Sequence, residues 1–138
     1  MKTVLTVDDS RVARTAIVHV LSSLGHRVLE ARNGREGLAV ARLSRPDLVL
    51  LDVLMPVMDG RQMLAALRSD PMLRDVPVVM LTAVTGESLV EACSGLGISG
   101  YLVKPVSSEK LLDMVGRVLG PPIHLLATST SAAPRVGL

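Results

Sequence analysis

Asp8, Asp9, Asp52, Thr82 and Lys104 each fall at the end of a short apolar run: TVLTV runs into Asp8-Asp9, DLVLL into Asp52, VPVVML into Thr82 and YLV into Lys104. Carboxylates, a hydroxyl and an ammonium gathered in one crevice suit a hard cation and a phosphoryl group. Three carboxylates held close repel one another, and a divalent ion with oxygen ligands relieves that repulsion, Mg2+ being the natural choice. A carboxylate beside such an ion can attack phosphorus and become an acyl phosphate, because metal and ammonium neutralise the equatorial oxygens. In this reading Asp52 is the acceptor and Asp8 and Asp9 hold the metal, while Thr82 and Lys104 each take a phosphoryl oxygen. The plain alternative makes acids after strands into helix caps or solvated loop charges. It accounts for Asp8-Asp9 alone and leaves their coincidence with Asp52 and Lys104 unexplained.

To meet, these residues must sit on a scaffold that aligns strand ends. Short β-branched runs alternate with segments of helical period, the pattern of parallel strands joined by crossover helices. Five units are legible: strands over 3–7, 27–31, 47–51, 76–81 and 101–103, and helices over about 11–24, 35–43, 61–69, within 86–96, and 107–119. In the first helix Val12, Ala13, Ala16, Ile17, Val20, Leu21 and Leu24 form the apolar stripe, leaving Arg11 and Arg14 outside it on a solvated face. The fourth helix, with two serines and two glycines, is the weakest. DLVLL is apolar without alternation and reads as a central strand covered on both faces. In an open parallel sheet, functional groups gather beyond the carboxyl ends of the strands, where the strand order reverses.

Composition narrows the field. The 138 residues suffice for one domain, and 15 Lys plus Arg against 13 Asp plus Glu give a net charge of +2, with twelve Arg dispersed along the chain. Nucleic-acid binding by bulk charge is not indicated. The single cysteine, Cys93, precludes an internal disulfide, and no apolar run is long enough to span a membrane. A cytoplasmic domain is expected, with a core of Val, Leu, Ile, Met and Ala, since Tyr101 is the one aromatic residue. After Leu119 the pattern stops; residues 120–138, rich in Pro, Ser and Ala, read as a flexible tail or linker stub.

VDDSRVAR at 7–14, LLDVLMPVMDG at 50–60, MLTA at 80–83 and GYLVKP at 100–105 together resemble the receiver domain of two-component response regulators over residues 1–119. The resemblance implies a doubly wound α/β fold, the flavodoxin-like or CheY-like (βα)5 arrangement with strand order 2-1-3-4-5. It also implies phosphotransfer to Asp52 from a histidine kinase or histidine phosphotransfer protein, with the backbone carbonyl of Leu54 joining Asp8, Asp9 and Asp52 around Mg2+. Thr82 and Tyr101 would form the switch, Lys104-Pro105 a cis peptide, and the face of the fourth helix, fifth strand and fifth helix a docking surface for a downstream target. The chain is expected to be a monomer or a weak, phosphorylation-dependent dimer, and a signalling module whose chemistry is limited to its own phosphotransfer and dephosphorylation. Leu54 and Val84, two residues after Asp52 and Thr82, flank the route by which water reaches the acyl phosphate in this family, so a long-lived phosphorylated state is expected. Val106 stands where relatives often carry Phe.

Other readings fare less well. The chain could be the receiver part of a longer response regulator or hybrid kinase. A Mg2+-dependent aspartyl phosphohydrolase resembling the haloacid dehalogenases would need an acid two residues after its nucleophile, where this chain has Leu54. A flavin or nucleotide binder would need a Gly- or hydroxyl-rich loop in place of Asp8-Asp9. A phosphorylation-independent scaffold leaves the intact acidic set without a purpose. Cys93 reads as a small buried hydrophobe, and His19, His26 and His124 are assigned no role.

Overall fold

A computed structural model describes residues 1–83, 87–93 and 95–120. Its elements run β1 (Thr3–Val7), α1 (Arg11–Ser23), β2 (Arg27–Ala31), α2 (Gly34–Ser44), β3 (Leu48–Asp52), α3 (Gly60–Ser69), β4 (Val78–Thr82), α4 (Glu87–Ala92), β5 (Gly100–Val103) and α5 (Ser108–Leu119). All strand pairings are parallel, and the order is β2-β1-β3-β4-β5. The doubly wound (βα)5 fold expected from the sequence is therefore the fold observed. Residues 121–138, which hold His124 and the expected tail beyond Gly120, lie outside the described residues, as does Val84.

β3 and β4 carry apolar side chains at consecutive positions, and β1 does so apart from the buried Thr6, because helices cover both faces. Leu5, Val7, Val49, Leu51, Val78 and Met80 point into the core beneath α2, α3 and α4 with Leu38, Met63, Leu67, Leu89 and Cys93. Their neighbours Val4, Leu48, Leu50, Val79 and Leu81 face the opposite way, against Ile17 and Leu21 of α1 and Leu111, Met114 and Val115 of α5. Strand alternation alone divides one continuous apolar run between two cores.

Some boundaries differ from those the sequence suggests. Asp47 is not in β3; its carboxylate instead accepts from the Thr3 amide at 2.8 Å. β4 begins at Val78 because Pro77 has no N–H to give the ladder, although its carbonyl still accepts from Val49 N at 3.0 Å. Helix starts are set by side-chain caps: Ser10 for α1, Asn33 for α2, Ser107 for α5, and for α3 a reciprocal pair in which Asp59 and Gln62 each accept from the other's amide. Three residues of α1 depart from the places expected of them; one is Ala16, a member of the expected stripe that is exposed. Val12, placed in the apolar stripe by its spacing, is 82% exposed, whereas Arg14 is buried.

Candidate functional site

The loops that leave β1, β3, β4 and β5 meet at one edge of the sheet. Asp8 is fully buried there, with every polar group engaged. Its amide donates to Ala31 O at 3.0 Å and extends β1 by one residue, while its carbonyl accepts from Arg14 Nη1 at 2.6 Å. Of its carboxylate oxygens, Oδ1 accepts from Ser10 N at 2.9 Å and Oδ2 from Lys104 Nζ at 2.9 Å. Lys104 Nζ also lies 3.5 Å from Asp52 Oδ2, so a single ammonium bridges two buried acids. Asp9 is exposed beside them, and one carboxylate oxygen from each of Asp8, Asp9 and Asp52 falls within 4.8 Å of the others.

Asp52 is the last residue of the fully buried β3, and Thr82, also buried, is the last of β4. Lys104 N donates to Thr82 O at 2.7 Å, which ties the ends of β4 and β5 together. Gly60 closes the loop after β3: its amide donates to Val53 O at 2.9 Å, and a Cβ there would collide with the carbonyl oxygen of Asp52. The same loop is anchored to α2 by Gly34 N donating to Met58 O at 2.9 Å, an approach that a side chain on Gly34 would block. Asp9, Asp52, Val53, Leu54, Thr82, Ala83 and Lys104 line an open cleft of about 450 Å³. On the other side of Lys104, a second, mainly apolar cavity of about 440 Å³ reaches Val12, Ile17, Pro105 and Val106.

The electrostatics follow from this crowding. Burial, and then the negative charge of Asp8, push the Asp52 carboxyl up to about 6, against the pull of Lys104. Burial would lower Lys104, but its hydrogen bond to Asp8 and the charge of Asp52 hold the ammonium above its ordinary value. Three carboxylates against one bridging ammonium leave an excess of negative charge with oxygen donors on three sides. That donor set fits a small hard divalent cation.

The remaining expected site residues are distributed around the cleft. The Leu54 side chain is 75% exposed at its rim. Tyr101, opposite Met80 on β5, is half-buried against the α4 side of the core, and the Lys104–Pro105 peptide is cis. Arg14 was missed by the sequence reading. It lies three and seven residues before Ile17 and Leu21, in phase with the buried stripe, and that spacing was the available signal.

Residues 4–116 match the family model of the response regulator receiver domain. The chain belongs to that family. It is 37% identical to the protein PilH of Pseudomonas aeruginosa over 119 residues, which cover 86% of this chain and 98% of PilH. Among solved structures, the receiver resembles chemotaxis protein CheY4 of Vibrio cholerae at 39% identity and TM-score 0.81, covering 86% of this chain and 98% of that one. The receiver domain of the sensor histidine kinase PA1611 from Pseudomonas aeruginosa, solved with magnesium coordinated in its active site cleft, is 33% identical at TM-score 0.78, covering 86% and 98%. Receivers are signalling modules that take a phosphoryl group on an aspartate, bind Mg2+ at an acidic site and work between histidine kinases or phosphotransfer proteins and downstream targets. Among the described residues, no helix of this receiver is long and apolar enough to cross a membrane.

Proposed function

We propose that Asp52 is the phosphoacceptor of this receiver and that Asp8, Asp9, Asp52 and the backbone carbonyl of Leu54 hold Mg2+. The supporting observation is the convergence of Asp8, Asp9 and Asp52 within 4.8 Å, two of them on the same ammonium, where the chain leaves β1, β3 and β5. A carboxylate oxygen of Asp52 attacks phosphorus, the bond from phosphorus to the donor's imidazole nitrogen breaks, and that nitrogen keeps the electron pair. Bound Mg2+ supplies charge neutralisation. Lys104 pairs with one phosphoryl oxygen and Thr82 donates to another. Thr82 and Tyr101 then form the switch that repacks the α4-β5-α5 face for a downstream target.

The phosphodonor is a histidine kinase or histidine phosphotransfer protein. Residues 1–119 form the cytoplasmic receiver unit, 120–138 a tail or linker, and loss of the phosphoryl group is the receiver's own slow hydrolysis. The test is incubation with Mg2+ and acetyl phosphate, followed by intact mass and Tyr101 fluorescence. One phosphoryl increment is expected on the wild type and none on Asp52→Asn. An adduct that survives in Asp52→Asn would move the acceptor elsewhere.

A further inference from the structure

Asp8 owes three of its hydrogen bonds to groups the fold supplies in any case: the β2 backbone, the helix-start amide of Ser10 and the site lysine. The fourth comes from a side chain with no part in the proposed phosphotransfer. Arg14 Nη1 reaches the Asp8 carbonyl at 2.6 Å, while its Nε donates to Glu30 Oε1 at 3.1 Å on β2. The Arg14 side chain is only 10% exposed, against 46% for Glu30. Burying a guanidinium near the start of a helix, beside a site meant for a cation, is unfavourable on two electrostatic counts. Geometry is what it offers in return.

A peptide is planar, so holding the Asp8 carbonyl fixes the plane through which the chain passes to Asp9. Were that plane free to turn, the exposed Asp9 carboxylate would swing relative to Asp8 and Asp52. We infer that Arg14 is the positioning residue of the acidic site: its guanidinium, oriented from β2 by Glu30, locks the Asp8–Asp9 peptide and thereby the spacing of the cation's ligands. The inference rests on the proposed metal reading, and the planar fork of Arg, which serves two acceptors at once, is what it requires.

The test is Mg2+ affinity, measured by calorimetric titration and by backbone amide shifts on the full chain, for wild type, Arg14→Lys, Arg14→Met and Val115→Ala. Val115 lies on α5, buried in the core that α5 shares with α1, and is not among the residues lining the acidic cleft, so its truncation reports the effect of lost stability alone. Arg14→Lys keeps the charge but cannot serve both acceptors, and Mg2+ binding about tenfold weaker is expected, as for other groups that orient metal ligands. Arg14→Met is expected to bind more weakly still, although removing a nearby positive charge would by itself tighten binding. Val115→Ala is expected to bind as wild type does. Unchanged binding in Arg14→Lys, tighter binding in Arg14→Met, or an equal loss in Val115→Ala would overturn the inference while leaving the metal site standing. Should Arg14→Met fail to fold, Arg14→Lys against Val115→Ala decides. A wild type with no saturable Mg2+ binding overturns the metal reading and this inference with it.

Discussion

Asp52 carries a proton to about pH 6 in the folded chain, whereas an unfolded aspartate releases it near 3.8. Between those values the folded state binds more protons, so this group's contribution to stability falls as pH rises. The metal-free wild type is therefore expected to match Asp52→Asn near pH 4 and to be less stable at pH 7.5, by on the order of 2 kcal/mol. Burial lowers His26, which has the opposite sign, but His26 is common to both proteins and cancels in the difference. Urea unfolding at the two pH values measures it, and Mg2+ should close the gap only in the wild type at pH 7.5. Val57 is a second departure from the easy state: it sits at φ 70 within a three-residue turn closed by Met58 N on Pro56 O at 2.7 Å. A β-branched residue is strained there, so Val57→Asn is expected to raise stability by about 1 kcal/mol, read from denaturant midpoints. At the cleft rim, the exposed Leu54 gives attacking water no polar group to orient it. Once Asp52 is phosphorylated, Leu54→Asn with Val84→Glu is expected to shorten the adduct's lifetime in a mass-spectrometric time course, and an unchanged decay would remove both positions from the water route.

At the scale of elements, one side chain joins three segments that the sheet does not connect. Arg68, near the end of α3, donates to Leu96 O and Gly97 O before β5, and to Arg74 O and Val76 O before β4, at 2.7 to 3.0 Å. Losing it leaves four carbonyls to water or to nothing, and Arg68→Ala is expected to cost about 2–3 kcal/mol in urea unfolding. Arg68→Lys should recover only part, since an ammonium cannot span the set. Because these bonds seat the segments leading into β4 and β5, a lowered Mg2+ affinity in the same variant would show that seating reaching Thr82 and Lys104 at the far strand ends. No local pattern marks Arg68: in the sequence it is one more basic residue on an amphipathic helix, and its acceptors lie up to 29 residues away.

For the whole molecule, α5 ends at Leu119 with its cap at Gly120, whose amide returns to Gly116 O at 2.9 Å. If residues 1–119 are the receiver unit, a chain stopped after Gly120 is expected to show the full chain's melting temperature and Mg2+ affinity, and a substantial loss in either would make the remaining residues part of the fold. The five-unit alternation, the central position of DLVLL and the gathering of Asp8, Asp9, Asp52, Thr82 and Lys104 could all be read from the sequence. Strands buried on both faces are apolar at nearly every position, and a parallel sheet must bring their ends to one edge. Periodicity shows which residues share a face, but the surface facing them is made by distant parts of the chain. Tertiary structure therefore decided that Val12 lies open while Arg14 is buried on the Asp8 carbonyl, that Arg68 holds four carbonyls, and that Asp52 is crowded enough to keep its proton to about pH 6. Each of these depends on desolvation and on partners brought close only when the sheet has formed, and neither quantity belongs to a residue or its neighbours in sequence.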